Sequence, residues 1–485
     1  MALANKNILF VSPPYHCGVV EVAGSWPPLG FLYLGAQAER AGWHAAVYDA
    51  MTLNHDFDRI ETELKNRKFD ILATSSITPT FPDAAELCRL AKKVNPECIT
   101  MIGGVHPTFC FEDILGDNRN GIDYILAGEG EVPLYNFLSN FNHVAKRLKT
   151  SNLIYKDGNE VIVNPALSLN DDLDSLPVSW NLLNWDDYTY YVIPGSTLGA
   201  VSTSRGCSHG CTFCSQQKFW KKIWRGRSPE KVVEEIKHIH KIYGVNVILF
   251  TDEYPTYDRD RWEEILDRII AERLDIYILI ETRVEDIVRD RDILSKYRRA
   301  GIIHIYVGAE ATDQKTLDKI NKEITVSDSG LAIELIAEHG MISETSFVLG
   351  FPEETKESIE NTFQQAKKFN ADFAHFLAIT PWPYSDFYQE VKDRIAINDY
   401  RKYNLIEPII KPDRMTLNDI DLAIIDCYRR YYMPKMMEFR KIKDKFRRDY
   451  LVSSTGLIMK SSFLKSKFAR LGIKPKALMQ SILKS

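Results

Sequence analysis

The stretch GAVSTSRGCSHGCTFCSQ (199–216) decides how the rest of the chain reads. Its first seven residues read as a short buried strand, and directly after it come Cys207, Cys211 and Cys214 in a Cys-x3-Cys-x2-Cys spacing. With eight cysteines in 485 residues, a given three-position pattern arises by chance about 0.002 times, so the spacing is a signal. Three thiolates on one loop can hold three irons of a [4Fe–4S] cluster and leave the fourth iron open to a ligand. A structural zinc site would need a fourth protein ligand, and His209 inside the loop competes sterically rather than completing the set.

Downstream the strand–helix rhythm repeats. VILFTDE (247–253), IYILIETR (276–283), HIYVGAE (304–310), TSFVLGF (345–351) and AHFLAIT (374–380) read as five more strands with helical patterns between them. With GAVSTSR (199–205) they make six β/α units, a partial (β/α)6 barrel over 197–390 whose chemistry belongs at the carboxyl ends of its strands. The polar groups expected there are Asp252, Glu253, Glu281, Arg283 and Glu310. From 391 to 485 the pattern is helical and connecting.

Upstream, residues 1–140 alternate ILFVS (8–12), AAVYDA (45–50), DILATSSIT (70–78), ITMIGGVHP (99–107) and YILAGEGE (124–131) with helical segments. Strands that are apolar on both faces indicate a doubly wound parallel sheet, so the fold class is α/β. Such a sheet holds ligands outside the carboxyl ends of its strands. The candidates at those ends are Ser12, Pro13, Ser76, Thr78, Gly103, Gly104, His106, Gly128, Glu129 and Gly130. Residues 141–196 lose the rhythm and read as a connecting segment with a hairpin at LIYKDGNEVIV (153–163).

The bulk numbers fit this picture. A net charge of −5 and a pI near 6.2 give no ground for a nucleic-acid surface. Residues 435–485 carry 14 Lys or Arg against three acids, and this basic tail reads as a solvated helix or as a peripheral contact with an anionic membrane. Neither a secretory signal nor an apolar run of spanning length is visible, and clustered cysteines argue for a reducing compartment, so a cytoplasmic enzyme is expected. Cys17, Cys88, Cys98, Cys110 and Cys427 lack ligand spacing and read as plain thiols.

Cys207, Cys211 and Cys214, with Phe213 before the last cysteine, resemble the signature of the radical S-adenosylmethionine superfamily, and the six β/α units resemble its partial barrel. The resemblance implies that the amine and carboxylate of S-adenosylmethionine fill the open iron, and that one-electron reduction then yields a 5′-deoxyadenosyl radical. It implies roles for Asp252 and Glu253 toward the cofactor's amino group, for Glu281, Arg283 and Glu310 toward its ribose and carboxylate, and for Gly350 near its adenine. Taken singly, each acid reads equally well as a surface or capping carboxylate.

A doubly wound domain ahead of such a barrel resembles the cobalamin-dependent branch, which implies cobalamin in the N-terminal crevice. The sequence has no Asp-x-His-x-x-Gly for donating a histidine to cobalt; His106 reads as a hydrogen-bonding turn histidine or as a ligand.

Motifs outside the cluster loop narrow the resemblance. YHCGVVEVAGSWPP (15–28), SSITPTFPDAAE (75–86), GGVHPTF (103–109), CTFCSQQKFWKKIWRGRSPEKVVEEI (211–236), NKEITV (321–326), TPWPYSDFYQEV (380–391), DYRKYN (399–404) and YRRYYMPK (428–435) are similar to the anaerobic magnesium-protoporphyrin IX monomethyl ester oxidative cyclase family. The similarity runs from about residue 15 to 450, and the C-terminus is shorter than that family leads one to expect. The resemblance implies oxidation of the porphyrin's 13-propionate methyl ester, with oxygen from water, and closure of the isocyclic ring of protochlorophyllide. It implies a reduced donor such as a flavodoxin or ferredoxin. Phe219, Trp220, Trp224, Trp382 and Tyr384 would offer flat surface to a macrocycle or serve as core. The alternatives are a cobalamin-dependent radical methyltransferase and, in another class, a non-catalytic iron–sulfur electron carrier.

Overall fold

Strands that are apolar on both faces must be covered on both faces, and the two alternating series accordingly build two parallel sheets wrapped by helices. The computed structural model describes residues 6–16 and 23–460. Cys17 and the part of the basic tail beyond residue 460 lie outside the described residues.

The first sheet contains β1 (Asn7–Ser12), β2 (His44–Asp49), β3 (Ile71–Ser75), β4 (Ile99–Gly103) and β5 (Tyr124–Leu126), parallel in the order β2-β1-β3-β4-β5. The order reverses between β1 and β3, which opens a crevice at their carboxyl ends. The hairpin at 153–163, read from sequence as part of a connecting segment, forms β6 (Leu153–Asp157) and β7 (Glu160–Val163) and pairs antiparallel along β5. Left unpaired, β5 would have exposed a row of backbone donors and acceptors, and the hairpin satisfies them. The GGVHP stretch turns after Gly103, so that His106 lies on the helix Val105–Phe109 rather than on a strand-end loop. The rest of the connecting segment straps the two units together: Tyr188 donates to Asp49 at 3.1 Å and Ser179 to Glu39 at 2.5 Å.

The second sheet is the expected partial barrel. Its six parallel strands are β8 (Leu198–Val201), β11 (Val247–Phe250), β12 (Tyr277–Thr282), β13 (Ile302–Glu310), β14 (Ile342–Leu349) and β15 (Phe373–Ala378), paired in that order. Between β8 and β11 lies a two-residue antiparallel ladder, β9 (Ser204–Arg205) with β10 (Arg225–Gly226). The predicted strand 199–205 therefore breaks at Ser202–Thr203. The break has a cause in Asp252, buried just past β11, which accepts from the Thr203 amide (2.9 Å), the Thr203 hydroxyl (2.7 Å) and Ser204 Oγ (2.5 Å). Three bonds to one carboxylate turn the chain out of the barrel toward the cysteines.

Outer helices start on side-chain caps where the sequence offers them. Ser228 accepts from the Lys231 amide, Asp258 from Arg261, and Thr355 and Thr416 close capping boxes. Trp262 and Tyr297, both fully buried, pack edge to face at 5.6 Å behind the barrel wall. Burying a side chain of that size contributes about 2–3 kcal/mol. The helices Leu417–Phe439 and Lys445–Lys460 close the amino-terminal end of the barrel, where Tyr450 donates into a chain with His304 and Tyr190. Among the described residues no helix is long and apolar enough to cross a membrane.

Candidate functional site

The cluster loop, residues 206–224, leaves and returns through the β9–β10 ladder. Backbone bonds pin it to the barrel mouth: the Thr212 amide donates to Ile320 O, and Thr212 O accepts from the Phe387 amide, both at 3.0 Å. Phe213 packs against the apolar cluster that contains Ile320, Val348 and Phe387. The three cysteines are free thiols, with Cys211 buried and Cys207 and Cys214 half-buried. Thiolates that hold a cubane each take a separate iron, so such ligands surround a volume rather than meet at a point. Among the described residues no three His, Cys, Asp or Glu side chains gather around a single ion position.

The surroundings of the sulfurs suit an anionic cluster. The Gln216 amide donates to Cys214 Sγ at 3.3 Å, the His209 amide to Cys207, and Arg283 Nη1 stands 3.9 Å from Cys211 Sγ. Burial pushes the Cys207 thiol up and the Cys214 thiol to about 11, so iron loading must expel protons. His209 is held by Glu323 at 2.6 Å and lies against Tyr254.

The strand ends carry the predicted polar groups, but several are bonded in ways the sequence did not reveal. Asp252 serves the strand break already described, and burial raises its pKa. Glu253 accepts from Trp220 Nε1 (2.8 Å) and the Gly206 amide (3.2 Å) and faces the cavity between the domains. Arg283 donates to Lys322 O at 2.6 Å and pairs with Glu285. Glu310, at φ +59°, pairs with Lys322 Nζ at 3.0 Å and accepts from Ser346 at 3.2 Å. Gly350, at φ +90°, donates its amide to Glu354, and a Cβ there would lie 3.3 Å from Ile420.

Glu281 differs from these. It lines a cavity of about 420 Å³ inside the barrel and makes no hydrogen bond within the described structure. It is exposed to that interior space, yet burial first, and then the charges of Glu344, Glu253 and Glu310, raise its pKa to about 7. Lower in the same cavity Glu344 is hydrogen-bonded to His375 Nε2 and stands 2.8 Å from His304 Nε2 as an ion pair. Burial alone would raise Glu344, but the His304 charge and the contacts with both histidines outweigh it and hold the carboxyl low. The His304–Glu344–His375 group and Lys322 were missed in the sequence. For His304, Glu344 and His375 the available signal was polar residues at the same inward period in otherwise apolar strands, whereas Lys322 lies between helices with no such pattern.

A second cavity, of about 360 Å³, lies between the two units. The ends of β3 and β4, the loop Gly128–Glu131, Phe219 and Trp220 of the cluster loop, and Glu253 form its walls. Its size is within the ordinary range for a ligand pocket, and its apolar walls and glycine-rich strand ends fit one face of a corrin. Among the described residues no histidine lines it. Gly103 and Gly130 leave the backbone bare there. Gly104 is required for another reason, since at φ +97° a Cβ would stand 2.5 Å from Ser76 O.

Ser12, Pro13, Ser76, Thr78 and His106 do not line this cavity. Ser12 bonds Asp49, Pro13 precedes the segment outside the description, and Ser76 Oγ is buried without a partner. Thr78 Oγ1 contacts His106 Nδ1 at 3.1 Å, and the ring of His106 is enclosed by Phe81, Tyr384 and Tyr400. Burial lowers His106 to about 4. Glu129 lines the cavity but binds two arginines, Arg205 and Arg225. Of the aromatic candidates Phe219 and Trp220 face the cavity. Tyr384 stacks on Phe109, Trp382 packs into the C-terminal core, and Trp224 donates to Tyr254 O.

Comparison with known proteins bears on the same regions. Residues 201–366 match the radical SAM superfamily and residues 15–138 the B12 binding domain. The chain is 37% identical over 474 residues to the anaerobic magnesium-protoporphyrin IX monomethyl ester cyclase of Rubrivivax gelatinosus, covering 96% of this chain and 84% of that one. It is 31% identical to an uncharacterized methyltransferase of Pyrococcus horikoshii, over 91% of this chain and 95% of that one. Among solved structures it resembles OxsB, a cobalamin-dependent S-adenosylmethionine radical enzyme with aqua-cobalamin and S-adenosylmethionine bound. The TM-score is 0.70 at 15% identity, over 99% of this chain and 75% of that chain, a likeness of fold.

Proposed function

The chain belongs to the family of the anaerobic magnesium-protoporphyrin IX monomethyl ester cyclases, and from that membership we propose that it closes the isocyclic ring of protochlorophyllide by radical oxidation of the porphyrin ester. It is a radical enzyme that uses a [4Fe–4S] cluster, S-adenosylmethionine and cobalamin. The observation that carries the reading is identity at 37% over 474 residues, 96% of this chain, an extent far beyond the cluster loop.

In this reading Cys207, Cys211 and Cys214 hold three irons. Arg283 offsets thiolate charge at Cys211, and Glu253, fixed by Trp220 and Gly206, faces the amine of S-adenosylmethionine. The bound cofactors supply a radical that takes a hydrogen atom from an unactivated carbon. The barrel interior takes the reacting propionate arm, and its apolar wall limits water to what the reaction consumes. Glu281 is the one carboxylate there without a hydrogen bond in the described structure, and its pKa of about 7 suits it to take up a proton released as substrate is oxidised. The N-terminal crevice holds cobalamin with backbone and apolar contacts and no protein histidine on the cobalt. A reduced flavodoxin or ferredoxin supplies electrons, and exposed basic residues such as Arg440, Lys441, Lys443 and Lys445 contact anionic lipid.

The test is an anaerobic assay with reconstituted cluster, S-adenosylmethionine, cobalamin, a reductant and the porphyrin ester, read by mass spectrometry. A ketone-bearing cyclised product that takes ¹⁸O from H₂¹⁸O is expected. A methylated product with S-adenosylhomocysteine would instead identify a methyltransferase, and consumption of O₂ would overturn the mechanism.

A further inference from the structure

The ladder that closes the cluster loop sets Arg205 and Arg225 side by side as cross-strand partners. Both guanidinium groups reach out of the barrel unit to the loop after β5 in the N-terminal unit. Glu129 Oε1 accepts from Arg205 Nη1 (2.9 Å) and Arg225 Nη2 (3.0 Å), while its Oε2 accepts from Arg225 Nη1 (2.9 Å) and the Asn170 amide (2.9 Å). Glu131 Oε1 accepts from Arg205 Nη2 at 2.7 Å. Two positive and two negative charges thus balance, with every side chain only 6–12% exposed. Tyr33 lies under the Arg205 guanidinium and Trp220 under that of Arg225, at 5.0 and 5.6 Å.

A network of this kind is weak evidence for stability, because apolar side chains of similar volume often serve as well or better. What it does supply is geometry, since planar forks on carboxylates fix both distance and orientation. The same loop, Gly128–Glu131, and the same Arg205 also form part of the wall of the interdomain cavity. The wall of one cofactor pocket and the hinge of the cluster loop therefore share one set of bonds.

We propose that Glu129, Arg225, Arg205 and Glu131 are positioning residues, an ionic latch that holds the cluster loop in register with the cobalamin crevice. The inference rests on the reading that cobalamin occupies that crevice. The latch makes radical formation and substrate oxidation keep step, so loosening it lets S-adenosylmethionine be cleaved without product.

The test uses the full chain with reconstituted cluster, as Glu129→Gln, which keeps the shape and removes the charge, and Arg225→Lys, which keeps the charge and removes the fork. Both should retain native iron content. Each should weaken cobalamin binding, measured by absorbance titration, about tenfold, the effect of losing one charged hydrogen bond. Each should also raise the ratio of 5′-deoxyadenosine to oxidised substrate at least about threefold by the same uncoupling. An unchanged cobalamin affinity and ratio in both variants overturns the proposal. Loss of iron with cobalamin affinity intact also overturns it, by confining the pair to folding of the cluster loop. If the native chain yields no cyclised product, the functional reading fails by itself, while the cobalamin titration and abortive deoxyadenosine formation still decide the latch.

Discussion

Replacing Lys322 by Met tests whether the pair with Glu310 is as buried and as coupled as the barrel geometry requires. Both residues are more than nine-tenths buried, and Lys322 Nζ lies 3.0 Å from Glu310 Oε1, whose other oxygen accepts from Ser346. Burial would lower the Lys322 pKa, but the Glu310 charge outweighs it and raises it, so the ammonium is charged in the folded chain. Removing one partner of a buried pair leaves a carboxylate without compensation and costs about 3–5 kcal/mol. The double variant Lys322→Met with Glu310→Gln removes both charges and should leave a cost of about 1 kcal/mol, a recovery of about 2–4 kcal/mol relative to the single variant. Urea unfolding of the iron-free chain, followed by tryptophan fluorescence, should show the single variant's midpoint lower by about 1 M or more. A double variant as unstable as the single one would refute the reasoning, as would a single variant within about 0.5 kcal/mol of native.

Cys207→Ala, Cys211→Ala and Cys214→Ala should each lose the [4Fe–4S] absorbance and all deoxyadenosine formation; native iron content in any of them would remove that cysteine from the ligand set. Glu281 should make stability fall as pH rises, because its pKa is raised from 4.5 to about 7, so the folded chain holds a proton that the unfolded chain has released. The penalty is absent below about 4.5, grows to about 7 and then levels, and Glu281→Gln should flatten the fall of the urea midpoint between pH 5 and 8. With the cofactor's dimethylbenzimidazole displaced from the cobalt and His106 enclosed by Phe81, Tyr384 and Tyr400, the Co(II) form should show electron paramagnetic resonance lines without nitrogen splitting, in native chain and His106→Ala alike. Triplet splitting that vanishes in His106→Ala would show the histidine to be a ligand.

Fold and cluster loop were legible because each rests on local pattern. Two-sided apolar runs such as ILFVS and VILF can settle only in covered parallel strands, and three cysteines on one turn need no distant partner to be recognised. What the sequence hid were pairings between residues far apart in the chain. Glu129 stood in a glycine-rich strand end and read as a cofactor contact, but its partners, Arg205 and Arg225, come from the other unit 76 and 96 residues away. Glu310 likewise read as a cofactor residue, although Lys322, 12 residues on, neutralises it. The hairpin at 153–163 was visible as a hairpin, but nothing local revealed that the free edge of β5 would receive it. His106 was misplaced by one turn of backbone, since Gly104 starts a helix where a strand-end loop was expected.

The helix Lys445–Lys460 closes the barrel from below, with Ser454, Leu457 and Ile458 lining the lower wall of the interior cavity. The strand ends proposed to handle cofactors come from residues about 100 to 250 positions earlier in the chain. Depth and chemistry are thus set by separate stretches of sequence. Residues on one face of this helix can grow or shrink and so change how long a substrate arm the interior admits, while the cysteines and the crevice stay untouched. On the proposed reading, this helix is an adjustable stopper that gives one scaffold a route to substrates of different length without rebuilding the radical machinery.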